Sequence, residues 1–197
     1  MTQAAAKLRR SVYRPPLPNY ATKCVHLGCG EIDKPGFINV DGYPRKHVHF
    51  VQAIDRLPIF EDHSIDFIYV SHALEHFPYG ETARVLREWH RVLRRNGRLC
   101  LSVPDFDVIV AMYEASNHEI LSVLAPLMGG QDYRYNFHYT VFNRNSLMTL
   151  LFEVGFRSVA SWEHGSDELH NFPDWSGRSL RIGGKDFVIS LNLEATK

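Results

Sequence analysis

Residues able to do chemistry gather in three stretches of this 197-residue sequence. The first is HLGCG, with Leu27, Gly28, Cys29 and Gly30, followed by INVDG with Asp41 and Gly42. Glycines at a strand end take backbone angles that other residues avoid, and they let a ligand approach the main chain. A carboxylate closing the next strand can accept both hydroxyls of a ribose. The second stretch is SHALEHF, with Ser71, His72, Glu75 and His76. It spells HxxEH, an inverted zinc-hydrolase motif whose two histidines would share one face of a helix. Here the motif follows an apolar run and is cut by Pro78, whereas a zinc hydrolase carries it inside a long helix. The third is GGQDYRYNFHYTVF, with Asp132, Arg134, His138 and Tyr139. Aromatics interleaved with polar groups suit stacking and hydrogen bonding to a sugar or ring. HNFPDWS, with His170, Asp174 and Trp175, repeats that mixture. Cys24, His26 and Cys29 have poor metal-ligand spacing, since alternation puts the first two on one strand face and the third in the turn. No metal is assigned.

These residues need a scaffold, and the hydrophobic pattern supplies one. CVHL is a short apolar strand closed by Gly28. FINV and HVHFV read as the second and third strands. SIDFIYV, apolar throughout, suits a strand covered on both faces. ETARVLREWHRVLRR has helical period, with Val85, Leu86, Trp89, Val92 and Leu93 on one stripe and Asn96-Gly97 as its stop. RLCLSV is a fifth strand ended by Pro104. Strands and helices spaced in this way imply a parallel sheet. Residues 105–145 break the rhythm and read as a helical, aromatic insertion over the carboxyl edge, where open α/β sheets bind ligands. Asp105 lies at that same edge. SLMTLLFEVGF is a helix ending at Gly155, FRSVASWE a strand, and DFVISLNLEA the last strand. The long loop before it, residues 164–184, is a second expected cap.

The link between the first two strands decides the cofactor. Only EIDKPG separates Gly30 from Phe37, too little for a crossover helix. A pyrophosphate wants a helix N-terminus, so NAD and FAD are disfavoured. A cofactor with ribose and adenine but no phosphate fits better, and S-adenosylmethionine (SAM) is one. Taken with LPIFEDHSIDFIYVSHALEHF and LREWHRVLRRNGRLCLSVPDF, these motifs make the chain resemble a class I SAM-dependent methyltransferase. It is similar to small bacterial or viral members linked to surface-glycan assembly. The resemblance runs from about Lys23 to Phe106, and the final helix, strand and strand are compatible with it. It implies an α/β fold: a Rossmann-like parallel sheet with an antiparallel last strand and a shortened first crossover.

The resemblance also implies roles. Leu27, Gly28, Cys29 and Gly30 would wrap the methionine part, with Asp41 and Gly42 at the ribose. Ala53, Ile54, Asp55 and Leu57 would flank the adenine, and Ser71 and His72 would lie beside the cofactor. Relatives usually carry an Asp where Ala53 stands, and Asp55 or Gln52 is the substitute within reach. His76 faces the acceptor as candidate base, with His138 as the second; Asp105, Arg134, Tyr139 and His170 are candidate acceptor contacts. Histidine suits proton removal from a hydroxyl at neutral pH. The expected reaction is O-methylation of a sugar hydroxyl or sugar-linked group of a glycan or its precursor. Two rivals are a non-catalytic binding module of the same fold and a zinc hydrolase acting through HxxEH.

Bulk properties agree with this. Apolar residues make up 45%, charged residues 22%, and Lys+Arg balances Asp+Glu at 22 each. No net field favours nucleic acid or an anionic membrane. No apolar run approaches the ~20 residues of a membrane span. Three cysteines without a repeated CxxC point to a reducing, cytoplasmic setting. Residues 1–22 read as an N-terminal arm and 23–197 as one domain. Nothing in the pattern fixes the oligomeric state.

Overall fold

A computed structural model describes residues 15–19, 22–171 and 173–197; most of the expected N-terminal arm lies outside them. The chain runs β1 (Cys24–Leu27), β2 (Phe37–Asp41), β3 (Phe50–Val51), β4 (Ile65–Ser71), α1 (Thr82–Val92), β5 (Leu93–Pro104), α2 (Phe106–Ala115), α3 (Leu121–Met128), α4 (Arg144–Val154), β6 (Ser158–Ser161), β7 (Ser179–Ile182), β8 (Lys185–Val188) and β9 (Ser190–Thr196). Seven strands form one sheet in the order β3-β2-β1-β4-β5-β9-β6. The pairs from β3 through β5 are parallel, and β9 runs antiparallel between β5 and β6. This is the expected Rossmann-like α/β sheet with an antiparallel last strand. Among the described residues no helix is long and apolar enough to cross a membrane.

The short first crossover is real. Two tight turns replace a helix between β1 and β2, closed by Ile32 N–H to Cys29 O at 2.9 Å and Phe37 N–H to Lys34 O at 3.3 Å. The two faces of the sheet are therefore covered differently. On one, α1 and α4 bury Val85, Leu86, Trp89, Val92, Leu147 and Leu151 against β1, β4 and β5. Trp89 also donates its indole N–H to Ile54 O at 2.8 Å, which satisfies the one polar atom of a fully buried side chain. On the other, Cys24, Phe37, Phe67, Tyr69 and Cys100 are covered by Trp162 and Leu169 from the chain after β6 and by Ile32.

Three boundaries differ from the sequence reading. Helix α1 stops at Val92, not at Asn96-Gly97. Leu93 turns extended (φ −64°, ψ 134°), is fully buried and pairs with Ile65. Asn96 (φ +62°) then forms a bulge whose N–H donates to Lys197 O at 3.0 Å. The third strand shrinks to two residues because the ring of His49 takes a ladder position: Asn39 N–H donates to its Nδ1 at 2.9 Å. DFVISLNLEA splits in two. Gly183 and Gly184 (φ +56° and +80°) make the tight turn that folds β8 back on β7, and only β9 joins the main sheet. That hairpin packs Leu180, Ile182 and Phe187 against Ile109 and Met112 of α2.

Candidate active site

The bend after β1 and the acid ending β2 form one unit. Gly28 and Gly30 have φ of +66° and +54°. The positive φ favours glycine at 28, and a Cβ there would also sit tightly, 3.2 Å from Ala73 Cβ and 3.7 Å from Ile54 Cδ1. Gly28 N–H donates to Val40 O at 2.8 Å, and Gly30 N–H donates to Asp41 Oδ2 at 2.9 Å. The other carboxylate oxygen, Oδ1, accepts from Tyr43 N–H at 2.7 Å and lies 3.4 Å from Arg45 Nη1. A carboxylate has about four lone-pair sites, so this one keeps capacity for a ligand's hydroxyls.

The other residues expected around the cofactor divide. Ile54 lines the bend, and Ala53 is exposed beside it. Asp55 points elsewhere, to Arg84 at 2.8 Å. Leu57 and Leu27 are fully buried core residues, and the Leu57 N–H is taken by Glu88. Their side chains are scaffold rather than lining. Cys29 is buried, and burial beside Asp41 pushes its thiol up to about 12, far from a nucleophile. The expected acceptor cluster divides as well. Tyr133 and Tyr135 pack edge-on against Tyr43, with ring centroids 5.8 and 5.5 Å away. A Cβ on Gly42 would meet the Tyr135 ring at 3.0 Å. Arg134 lies over the Tyr135 ring at 5.4 Å. This half of the insertion thus caps the end of β2, beside Gly42 and Tyr43.

Its other half docks on the HxxEH turn. Leu74–His76 is a single 3₁₀ turn, not a long helix. Tyr139 N–H donates to Glu75 O at 2.8 Å, and Thr140 Oγ1 donates to Phe77 O at 2.8 Å. His138 thereby joins His72, Glu75 and His76. Glu75 is only 1% exposed, with His72 Nδ1 3.4 Å and His138 Nε2 3.9 Å from its Oε1. Burial alone would raise the Glu75 pKa, but His72, His76 and His138 outweigh it and hold the carboxyl below its ordinary value. Burial holds the His138 pKa below the usual histidine value, against the pull of Glu75. His76 Nδ1 lies 3.1 Å from Phe137 O and its Nε2 3.1 Å from His72 O. Both nitrogens of that ring face acceptors, which is poor geometry for a base. His72 (φ +51°) turns its Nε2 to Ser190 Oγ at 2.7 Å.

Asp105 caps α2 through Asp107 N–H and borders an open cavity of about 510 Å³ with Arg144, Ser161, His164, Ser190 and Asn192. Burial raises its pKa. Tyr139 is 59% exposed and stacked on Phe137. His170 is displaced from the expected acceptor side. It is buried against Trp162, ring centroids 4.4 Å apart, in the layer covering Cys24 and Phe67 at the amino-terminal half of the sheet. Ser190 and the tyrosines at 43, 133 and 135 are residues that the sequence reading does not single out. Tyr135 stood in a stretch already singled out for its aromatics, whereas nothing local marks Ser190.

Residues 37–101 match the family model described as a methyltransferase domain. By sequence, no curated protein matches the chain. Among solved structures it is similar to a SAM-dependent methyltransferase of Thermotoga maritima, described as a possible histamine N-methyltransferase. The identity is 19% and the TM-score 0.55, over 92% of this chain and 84% of that one. A SAM-dependent methyltransferase of Archaeoglobus fulgidus gives 16% identity and a TM-score of 0.56, over 89% and 86%. The 1,6-didemethyltoxoflavin-N1-methyltransferase of Burkholderia thailandensis, solved with 1,6-didemethyltoxoflavin and S-adenosylhomocysteine, gives 16% and 0.51, over 89% and 71%. The chain therefore has the fold of the class I SAM-dependent methyltransferases, with the methyltransferase-domain match lying in the segment from β2 to β5.

Proposed function

We propose that this chain is a SAM-dependent methyltransferase acting on an oxygen of a small polar acceptor, a sugar hydroxyl or sugar-linked group of a glycan or its precursor. The observation that carries this reading is the Gly30 N–H to Asp41 bond at 2.9 Å, which joins glycine bend and carboxylate at the carboxyl edge of a methyltransferase fold. The S-adenosylhomocysteine in the Burkholderia thailandensis relative supports the choice of cofactor.

In this reading Asp41 accepts the ribose hydroxyls, Ile54 packs on the adenine, and residues 28–30 follow the methionine part. Bound there, the cofactor supplies a methyl group on a cationic sulfur, which is a good leaving group. The remaining work belongs to the chain. Alignment of acceptor and methyl group is worth roughly 7–11 kcal/mol in favourable cases. Tyr133 and Tyr135, packed on Tyr43 over the end of β2, would cover the ribose. The buried Glu75 with His72, His76 and His138 gives a hydroxyl acceptor the polar partner it needs when its proton leaves. An amine acceptor has no such need, and this favours oxygen.

The test is transfer of a labelled methyl group from SAM to a panel of sugars and glycan extracts, beside calorimetric titration with S-adenosylhomocysteine. Label in a base-stable ether product is the expected outcome. Label in an amine product overturns the choice of oxygen. Cofactor binding with no transfer to any acceptor favours the non-catalytic module. No binding of either cofactor form ends the proposal.

A further inference from the structure

The geometry points to a divalent-cation site formed by Glu75, His76 and His138, with open coordination positions for the acceptor hydroxyl. This deepens the methyltransferase reading and rests on it for the role of the ion, though not for its binding. One ligand atom from each of the three residues lies within 4.8 Å of the other two. Bonds of about 2.0–2.2 Å place ligand atoms roughly 3–4 Å apart around an ion, so the three side chains would close in by about 1 Å on binding.

Three features prepare these side chains as ligands. The first is Glu75 itself. It is 1% exposed, and its nearest polar partners are ring nitrogens, His72 Nδ1 at 3.4 Å and His138 Nε2 at 3.9 Å from Oε1. A buried carboxylate so placed calls for positive charge beside it. The second is the orientation of the rings. His138 Nδ1 is 3.1 Å from Pro126 O, and His76 Nδ1 is 3.1 Å from Phe137 O. A proton held on each Nδ1 by a backbone carbonyl leaves each Nε2 as a lone pair, the outer-shell arrangement usual for metal-binding histidines. His138 Nε2 then faces Glu75. His76 Nε2 then meets His72 O at 3.1 Å, lone pair to lone pair, a contact relieved by a positive centre between or beside them. The third feature is rigidity. Glu75 and His76 share one 3₁₀ turn, and His138 N–H donates to Met128 O at 3.0 Å. Gly129 is packed so closely that a Cβ there would lie 2.5 Å from Asn136 O and 3.1 Å from His138 Cδ2.

Two imidazoles and one carboxylate suit first-row divalent ions such as Mn²⁺, Co²⁺ or Zn²⁺, and not the all-oxygen preference of Ca²⁺. Three protein ligands leave positions open. In the methyltransferase reading the site lies on the acceptor side, because Ala73, two residues before Glu75, packs so near the bend that a Cβ on Gly28 would come within 3.2 Å of it. An acceptor hydroxyl on the ion is more acidic. Its proton passes to water, the oxygen forms a bond to the methyl carbon, and the carbon–sulfur bond breaks with its electron pair remaining on sulfur. The zinc-hydrolase reading of HxxEH used His72 and His76 as ligands with Glu75 as base. Here His72 is turned to Ser190, and Glu75 stands among the ligands.

The test uses the full chain after dialysis against a chelator. Mn²⁺ is titrated by calorimetry and followed by electron paramagnetic resonance, in wild type, His138→Ala and Glu75→Gln. We expect one Mn²⁺ per chain, binding at least tenfold weaker in both variants, and S-adenosylhomocysteine affinity within twofold of wild type in His138→Ala. Thermal melts identify a variant that fails to fold, and the remaining variant then decides. Absence of Mn²⁺, Co²⁺ and Zn²⁺ binding to the wild type, or equal binding by the folded variants, overturns the site. Full methyl transfer in chelator overturns the role given to the ion and leaves the methyltransferase reading standing. Metal binding without methyl transfer supports the site and counts against that reading.

Discussion

Replacing Asp41 by Asn tests the cofactor cradle with little change of shape. The carboxylate accepts two backbone N–H groups, from Gly30 at 2.9 Å and Tyr43 at 2.7 Å, and its side chain is 13% exposed. An amide has one acceptor oxygen, so one of these donors would face an NH₂ group. Leaving a buried donor unsatisfied costs about 1–3 kcal/mol, and hydrogen bonds to charged groups contribute about 1.5–3 kcal/mol each. The folded state should lose about 2 kcal/mol, visible as a lower urea midpoint with unchanged slope. A ribose diol would lose its charged acceptor as well. A further loss of about 2 kcal/mol in binding corresponds to about thirtyfold in Kd. Calorimetric titration of S-adenosylhomocysteine into folded Asp41→Asn protein measures this separately from stability. Binding within twofold of wild type would refute the assignment of Asp41 to the ribose, whatever the stability change.

Two further outcomes follow from particular residues. His26 is buried, and burial lowers its pKa to about 4 from 6.5. Between those values the unfolded chain binds more protons than the folded one, so stability falls as pH drops from about 6.5 to 4, by at most about 3 kcal/mol from this group. Urea midpoints in His26→Phe protein should be less pH-dependent over that window; an unchanged slope against pH would remove His26 as the cause. Gly42→Ala should displace Tyr135, whose ring would meet the new Cβ at 3.0 Å. Stopped-flow binding of S-adenosylhomocysteine should then show faster cofactor release with little change in urea midpoint, and unchanged release would mean that Tyr135 does not cap the cofactor.

Much of the fold was legible because it is written in local periods. The stripe Val85, Leu86, Trp89 and Val92 gives α1, and Gly155 (φ +116°) ends α4 as expected. The glycine bend and Asp41 were legible for the same reason, each lying at the end of a short apolar run. The misreadings come from contacts far apart in sequence. Leu93 fits the helical stripe of α1, but its burial opposite Ile65 wins. His170 looks like a polar loop residue until Trp162 covers it. The tyrosines at 133 and 135 and the histidine at 138 stand within six residues, yet they serve opposite ends of the site, because Tyr43 draws one group and Glu75 anchors the other. Neither attraction has a signature in the local sequence.

The unusual covering of the sheet has a consequence during synthesis. The earliest strands, β1 and β2, have no helix of their own on the face carrying Cys24 and Phe37, and their cover includes Trp162 and Leu169. A nascent chain that has emerged only to α4 leaves those side chains, with Phe67 and Tyr69, facing water, and β5 still lacks its neighbour β9. Such an edge pairs readily with other chains. Ribosome-bound intermediates of this protein should thus depend on chaperones until the last quarter of the chain appears.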